Sequence, residues 1–154
     1  MSWRFSLALT FFLTVPGWAN NERAWVNYAL RCQGCHLPDA MGMQGKVPRL
    51  NGFVGYFLHS DEGRRFIIQV PGVSKSTLSD EELSELMNWV VNEFSAAQMP
   101  ADFVPYTPDE INRLRKDPES DPLERRGDIL TKLAVTVPEL DCYTDAWVTV
   151  GNCP

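Results

Sequence analysis

The sequence predicts an all-α chain of short helices, and three observations carry that expectation. Residues 79–94 and 107–116 each open on a helix-capping signature, and the first continues with apolar residues at helical spacing. Residues 22–32 carry Trp25, Tyr28 and Ala29 at the same spacing. Only the stretch Phe66-Ile67-Ile68-Gln69-Val70 passes for a strand by propensity, and Pro71-Gly72 ends it.

The elements follow in chain order. Arg4 precedes an apolar run over residues 5–15, and Pro16-Gly17-Trp18-Ala19 follows. A basic start, an apolar run and small residues before a cut near Ala19 form an export signal. The run is shorter than the roughly 20 residues that span a bilayer. The expected divisions are a signal peptide over 1–19, a main domain over 20–117 and a carboxyl-terminal extension over 118–154. The expected address is the bacterial periplasm, with no membrane span in the mature protein. That mature chain keeps about 135 residues, enough for one domain.

The first helix runs into Cys32-Gln33-Gly34-Cys35-His36. C-x-x-C-H is the attachment sequence of a c-type haem. Two cysteines at that separation reach the two vinyl groups on one porphyrin edge. The histidine that follows at once reaches the iron as its proximal ligand. The site residues expected are therefore Cys32 and Cys35 as covalent anchors and His36 as an iron ligand. A thioredoxin-like motif would follow a strand, and here it follows an amphipathic helical stretch. A zinc site would need further ligands, and the chain offers only His59, Cys142 and Cys153, at no zinc spacing. The motif occurs once, so one covalent haem c is expected.

Residues 37–46, rich in Gly, Asp and Met, read as a loop at the haem edge. Residues 55–58 and 65–70 read as helical turns. Ser79 and Glu82 form a capping box, and Leu83, Leu86, Met87, Val90 and Phe94 fall on one face. Thr107 caps the next helix, with Pro108 at its first position and Glu110 completing a second box. Pro118 stops it, and residues 122–134 form one more short helix. In an oxidising compartment Cys142 and Cys153 are expected to pair as a disulfide.

The 14 basic and 20 acidic residues give a net charge of −6. With no basic patch to neutralise phosphate, nucleic acid is not an expected partner. An acidic carrier is steered toward a basic docking surface.

Over residues 22–116 the chain resembles a class I cytochrome c. The resemblance rests on the helix leading into Cys32-Gln-Gly-Cys35-His36, on Pro48-x-Leu50-x-Gly52, and on the helix with Leu78-Ser-Asp-Glu-Glu-Leu83 and Trp89-Val90. It implies a bundle of short helices around one haem. It also implies that the Pro48 carbonyl accepts a hydrogen bond from the second ring nitrogen of His36, fixing the ring. The family's other iron ligand is a methionine before a proline, in a loop ahead of the last helix. Met99-Pro100 fits that dipeptide, with the helix at 107–116 after it. In a competing register the helix at 79–94 is the family's last one. The methionine loop would then fall at residues 71–77, which contain no methionine. Met41, Met43, Met87 and His59 are weaker alternatives.

The function these features imply is one-electron transfer, from a periplasmic dehydrogenase to an oxidase or another carrier, without catalysis. Two alternatives stand beside it. One is a haem sensor or small haem enzyme with an open sixth iron position. The other is an accessory cytochrome subunit that docks on a dehydrogenase through residues beyond 117.

Overall fold

A computed structural model describes the backbone of residues 17–140 and the side chains of residues 21–140. The expected Cys142–Cys153 disulfide and the apolar run at 5–15 lie outside the described residues. Seven α-helices are present among them: α1 (Gly17–Arg31), α2 (Gln33–His36), α3 (Asp61–Gln69), α4 (Pro71–Ser74), α5 (Asp80–Ser95), α6 (Pro108–Leu114) and α7 (Pro122–Ala134). Short 3-10 turns occupy Val54–His59, Ala96–Gln98 and Pro138–Leu140. Among the described residues the only β pairing is an isolated bridge between Met43 and Val47. No described helix is long and apolar enough to cross a membrane.

The ambiguous stretch at 66–70 resolves as helix. Ser60 caps α3 by accepting the Gly63 N–H at 3.0 Å, and Phe66, Ile67 and Ile68 turn inward. Pro71 ends α3 and serves as the first residue of α4. The capping box at α5 is complete, with Ser79 and Glu82 each bonding the other's backbone N–H. The second expected box forms only half. Thr107 Oγ1 accepts the Glu110 N–H at 3.2 Å, but the Glu110 carboxylate turns away to Arg64, at 2.7 and 2.8 Å. A bidentate, charge-assisted pair outcompetes one exposed backbone N–H.

α5 is the centre of the molecule. Leu83, Leu86, Met87, Val90 and Val91 are buried along it, and Phe94 is half-buried. α1 lies across α5, with the Tyr28 ring 5.6 Å from Trp89 and 5.0 Å from Phe94. At the edge of that contact Arg23 Nε donates to Glu85 at 2.8 Å. On the other side α5 meets α6 through the segment that leads into it. Asn88 accepts the N–H of buried Tyr106 at 2.8 Å and donates to its carbonyl at 2.9 Å. The Tyr106 hydroxyl donates to the Arg64 carbonyl, and the Arg64 guanidinium lies 4.1 Å from the Tyr106 ring centre.

α7 belongs to the same core. Ile129, Leu130 and Leu133 are buried in one cluster with Phe53, Phe57 and the α5 face. Arg126 is only 4% exposed and lies over the Phe53 and Phe57 rings, 4.9 and 5.7 Å from their centres. Burial holds its pKa down to about 10. Its long stem and flat head bring both packing and cation–π attraction to a helix that carries few large apolar side chains.

Candidate haem site

Cys32, Cys35 and His36 stand on a single helical turn. The Cys35 and His36 N–H groups both donate to the Cys32 carbonyl, at 3.1 and 2.9 Å. Separations of three and four residues place the three side chains on one face of that turn. Cys32 continues α1, its N–H donating to the Tyr28 carbonyl at 2.9 Å. Leu37 then reverses the chain with φ of +68°, and the Tyr28 hydroxyl donates to its carbonyl at 2.7 Å. Tyr28 thus couples the α1–α5 crossing to the end of the motif.

Cys32 is half-buried and Cys35 exposed. Burial first, and the nearby Cys35 second, push the Cys32 thiol up to about 11. A disulfide oxidoreductase needs the opposite, a cysteine with a depressed pKa. Among the described residues no three His, Cys, Asp or Glu side chains gather as a metal cluster.

The His36 Nδ1 atom lies 3.1 Å from the Pro48 carbonyl oxygen. A carbonyl only accepts, so Nδ1 carries the proton and the lone pair is on Nε2, on the far side of the ring. Burial lowers the His36 pKa, and the bond to Pro48 partly opposes that shift. The imidazole is thus held neutral and oriented, in the form that ligates a metal.

The loop that brings Pro48 to His36 is built from backbone contacts. The Gly42 N–H donates to the His36 carbonyl at 2.9 Å, and Met43 pairs with Val47. The carbonyl of fully buried Ala40 accepts from Leu50 and Asn51. Gly42 has φ of +67°, and a Cβ there would run into the Val47 carbonyl and lie 2.8 Å from the Pro48 oxygen. No side chain fits in that cradle. Pattern reading misses Tyr28, Ala40 and Gly42 in these roles. The only sequence signals are a tyrosine one turn before the motif and a glycine in a methionine-rich loop.

The motif residues and Pro48 therefore come together. The remaining ligand candidates are carried by other segments of the chain. Met99 follows the Ala96–Gln98 turn at the carboxyl end of α5, half-buried against the core. His59 is exposed, with Nε2 3.0 Å from the Gln98 carbonyl. Met41 and Met43 are exposed on the Pro48 loop, and Met87 is buried on α5.

No family model matches the chain. Two curated relatives do, both cytochromes c-552 from Thermus thermophilus. One is 27% identical over 125 aligned residues, covering 70% of this chain and 84% of the relative. The other is 28% identical over 103 residues, covering 55% of this chain and 79% of the relative. The chain is thus similar to c-type cytochromes in sequence and all-α fold, and covalently bound haem c is the cofactor that its single-turn C-x-x-C-H site fits.

Proposed function

We propose that this protein is a periplasmic one-electron carrier built on a single haem c. Cys32 and Cys35 hold the haem by thioethers, and His36 is the proximal iron ligand. Pro48 fixes the imidazole through Nδ1. The observation that carries this reading is the one-turn motif with the His36 ring already anchored at 3.1 Å on the Pro48 carbonyl. An imidazole fixed in this way needs no reorientation when the iron changes oxidation state. The haem supplies the one-electron couple, and the chain supplies attachment, orientation and exclusion of water.

The surface beside the motif supports transfer between proteins. Cys35 is exposed, and in the segment that follows it Leu37, Met41 and Met43 are 36, 39 and 37% exposed. Flexible methionines at a rim adapt to more than one partner. The partners this suits are a periplasmic dehydrogenase as donor and an oxidase or second carrier as acceptor. Export follows from the signal over residues 1–19, with cleavage near Ala19. Residues 20–117 then hold the haem and residues 118–154 extend it.

The test is the mass of the denatured mature protein together with voltammetry of the native one. The expected results are one haem retained through denaturation and one reversible one-electron wave. A bare polypeptide mass, with haem extracted by acidic solvent, overturns the assignment of Cys32 and Cys35.

A further inference from the structure

Exposed apolar side chains are not spread evenly over the molecule. Among the described residues nine large apolar side chains are exposed, and six of them fall between Trp25 and Met43. The most exposed of the six stand on α1: Trp25 at 57%, Val26 at 43% and Leu30 at 72%. The inward face of the same helix carries buried Ala24 and Tyr28, with Tyr28 on the Trp89 and Phe94 rings of α5. α1 is therefore apolar on two faces, and among the described residues only one of them is covered.

Helical hydrogen bonds carry α1 on through the motif. The Cys32, His36 and Leu37 N–H groups donate to the Tyr28, Cys32 and Gln33 carbonyls, each at 2.9 Å. At about 100° per residue, Val26, Leu30, Gln33 and Leu37 share one stripe of this helix, and Trp25, Ala29, Cys32 and His36 share the next. A helix is only about 10–12 Å across with its side chains. A surface resting on Val26 and Leu30 is thus one helix width from Cys32 and His36. The stretch is also poor in charge. Of the 14 residues from Ala24 to Leu37 only the exposed Arg31 is charged, where the chain's 22% would place about three. Depletion of charge, with Trp and Arg kept, marks the centre of a protein–protein contact.

We infer that the outward stripe of α1, with Trp25 at its edge, is where the carrier docks on its redox partner, a protein whose facing surface is apolar at its centre and carries a carboxylate opposite Arg31. The inference rests on the covalent-haem carrier reading above. Four apolar side chains fall far short of the roughly 800 Å² per partner that a stable complex buries, and they suit the brief contact of electron transfer. A second copy of this chain brings the same net charge of −6, and its own residues 24–37 hold no carboxylate to meet Arg31. No bond forms or breaks on docking; one electron crosses, so one centre is oxidised and the other reduced. Overall acidity alone points to a basic partner and an approach that slows with salt. A stripe with a single charge points instead to association that hardly responds to salt.

The experiment uses the mature holoprotein, first shown by mass to carry covalent haem. Its electron exchange is measured by voltammetry at gold coated with methyl-, amino- or carboxylate-terminated alkanethiols, the methyl surface standing in for an apolar protein face. The expected result is fastest exchange at the methyl surface, changed less than about twofold between low and high salt. Leu30→Glu places a charge in the stripe and should slow that exchange about tenfold, with the midpoint potential and melting temperature unchanged. Val135→Glu, the same change at an 83% exposed site on another helix end, should leave it as in the wild type. Fastest exchange at the amino surface, falling with salt, overturns the inference, and so does Leu30→Glu exchange equal to the wild type. A melting temperature lowered by Leu30→Glu shows that the chain covers its own stripe and overturns it too. A stable dimer in sedimentation, or binding to phosphatidylglycerol vesicles, that Leu30→Glu abolishes gives the stripe to a second copy or to a membrane and likewise overturns it. Each of these results leaves the covalent-haem carrier standing, whereas a mass without haem removes that reading and this one together.

Discussion

The motif corner, residues 32–52, and the carboxyl-terminal half, α6 and α7, are held together in opposite ways. The corner has almost no apolar interior of its own. It is a chain of backbone hydrogen bonds through five left-handed residues: Leu37, Ala40, Gly42, Gly45 and Gly52. Left-handed backbone at a residue with a Cβ costs about 1–2 kcal/mol. The strain at Leu37 and Ala40 is therefore carried by the contacts around them. The other half is ordinary packing reinforced by arginine. Ile111, Leu114, Ile129, Leu130 and Leu133 are buried, and Arg64, Arg115 and Arg126 tie helices across long sequence separations. The difference shows where each part finds its stability. The carboxyl-terminal half is held by side-chain contacts to the rest of the core, whereas the corner is held by its backbone.

The largest expected effect breaks the corner alone. Gly42→Ala forces a Cβ against the Val47 carbonyl in left-handed backbone. Strain and overpacking together predict a loss of about 2–5 kcal/mol. Because the clash reaches the Pro48 carbonyl, the His36 anchor should shift with it. Thermal unfolding of the holoprotein and its ferric spectrum should therefore change together. A spectrum unchanged while stability falls would show that the corner's geometry is set by the haem and not by Gly42.

Arg115→Met tests the other half. It removes donors to three carbonyls and Asp80 from a side chain that is 15% exposed. Hydrogen bonds to charged groups contribute about 1.5–3 kcal/mol each when their partners are left buried, and water reaches part of this site, so a total near 2–4 kcal/mol is expected. Denaturant unfolding measures it. Asn88→Ala should follow at about 1–3 kcal/mol, since it strands both backbone groups of Tyr106.

These two regions were also unequally legible. The motif could be read because haem attachment needs contiguous residues. The α5 cap could be read because Ser79 and Glu82 satisfy each other locally. The role of Glu110 could not, because its partner Arg64 lies 46 residues away and overrides the local box. Arg115 and Arg126 leave no pattern at all, since their partners are carbonyls and ring faces brought close only by the fold. The position of Met99 depended on which helix crosses α1. Two helices with good caps made the sequence ambiguous there. The Tyr28 contacts with Trp89 and Phe94 assign the crossing to α5.

Acid should separate the two regions without mutation. Glu62 is held below the ordinary carboxylate range first by its hydrogen bond to Lys132 and then by Arg125. Asp80 is held low by Asn112 first and Arg115 second. A carboxylate with a lowered folded pKa adds stability at pH above its ordinary value, here 4.5 for Glu62 and 3.8 for Asp80. That stability is lost as pH falls through the lowered value. Few ties in the corner run through a carboxylate. Amide exchange followed from pH 6 downward should therefore show α6 and α7 losing protection before residues 32–52 of the holoprotein. Simultaneous loss would mean that the two regions unfold as one unit.

The smallest effect decides what fastens α7. Glu62 receives Arg125 Nη1 at 2.9 Å and Lys132 Nζ at 3.0 Å, so one α3 carboxylate meets two cations of α7. Both cations are well solvated, at 39 and 61% side-chain exposure. Exposed pairs of this kind contribute about 0–1 kcal/mol each and weaken with salt. The buried Leu130 next to them is a different case, since truncating a buried leucine to alanine costs about 2–5 kcal/mol. Glu62→Gln should therefore cost less than about 1 kcal/mol, an effect that shrinks further in high salt, while Leu130→Ala destabilises several times more. A Glu62→Gln loss equal to that of Leu130→Ala, measured by denaturant unfolding at low and high salt, would make the ion pairs the fastening. α7 would then be a charge-held flap on the haem domain instead of a part of its core.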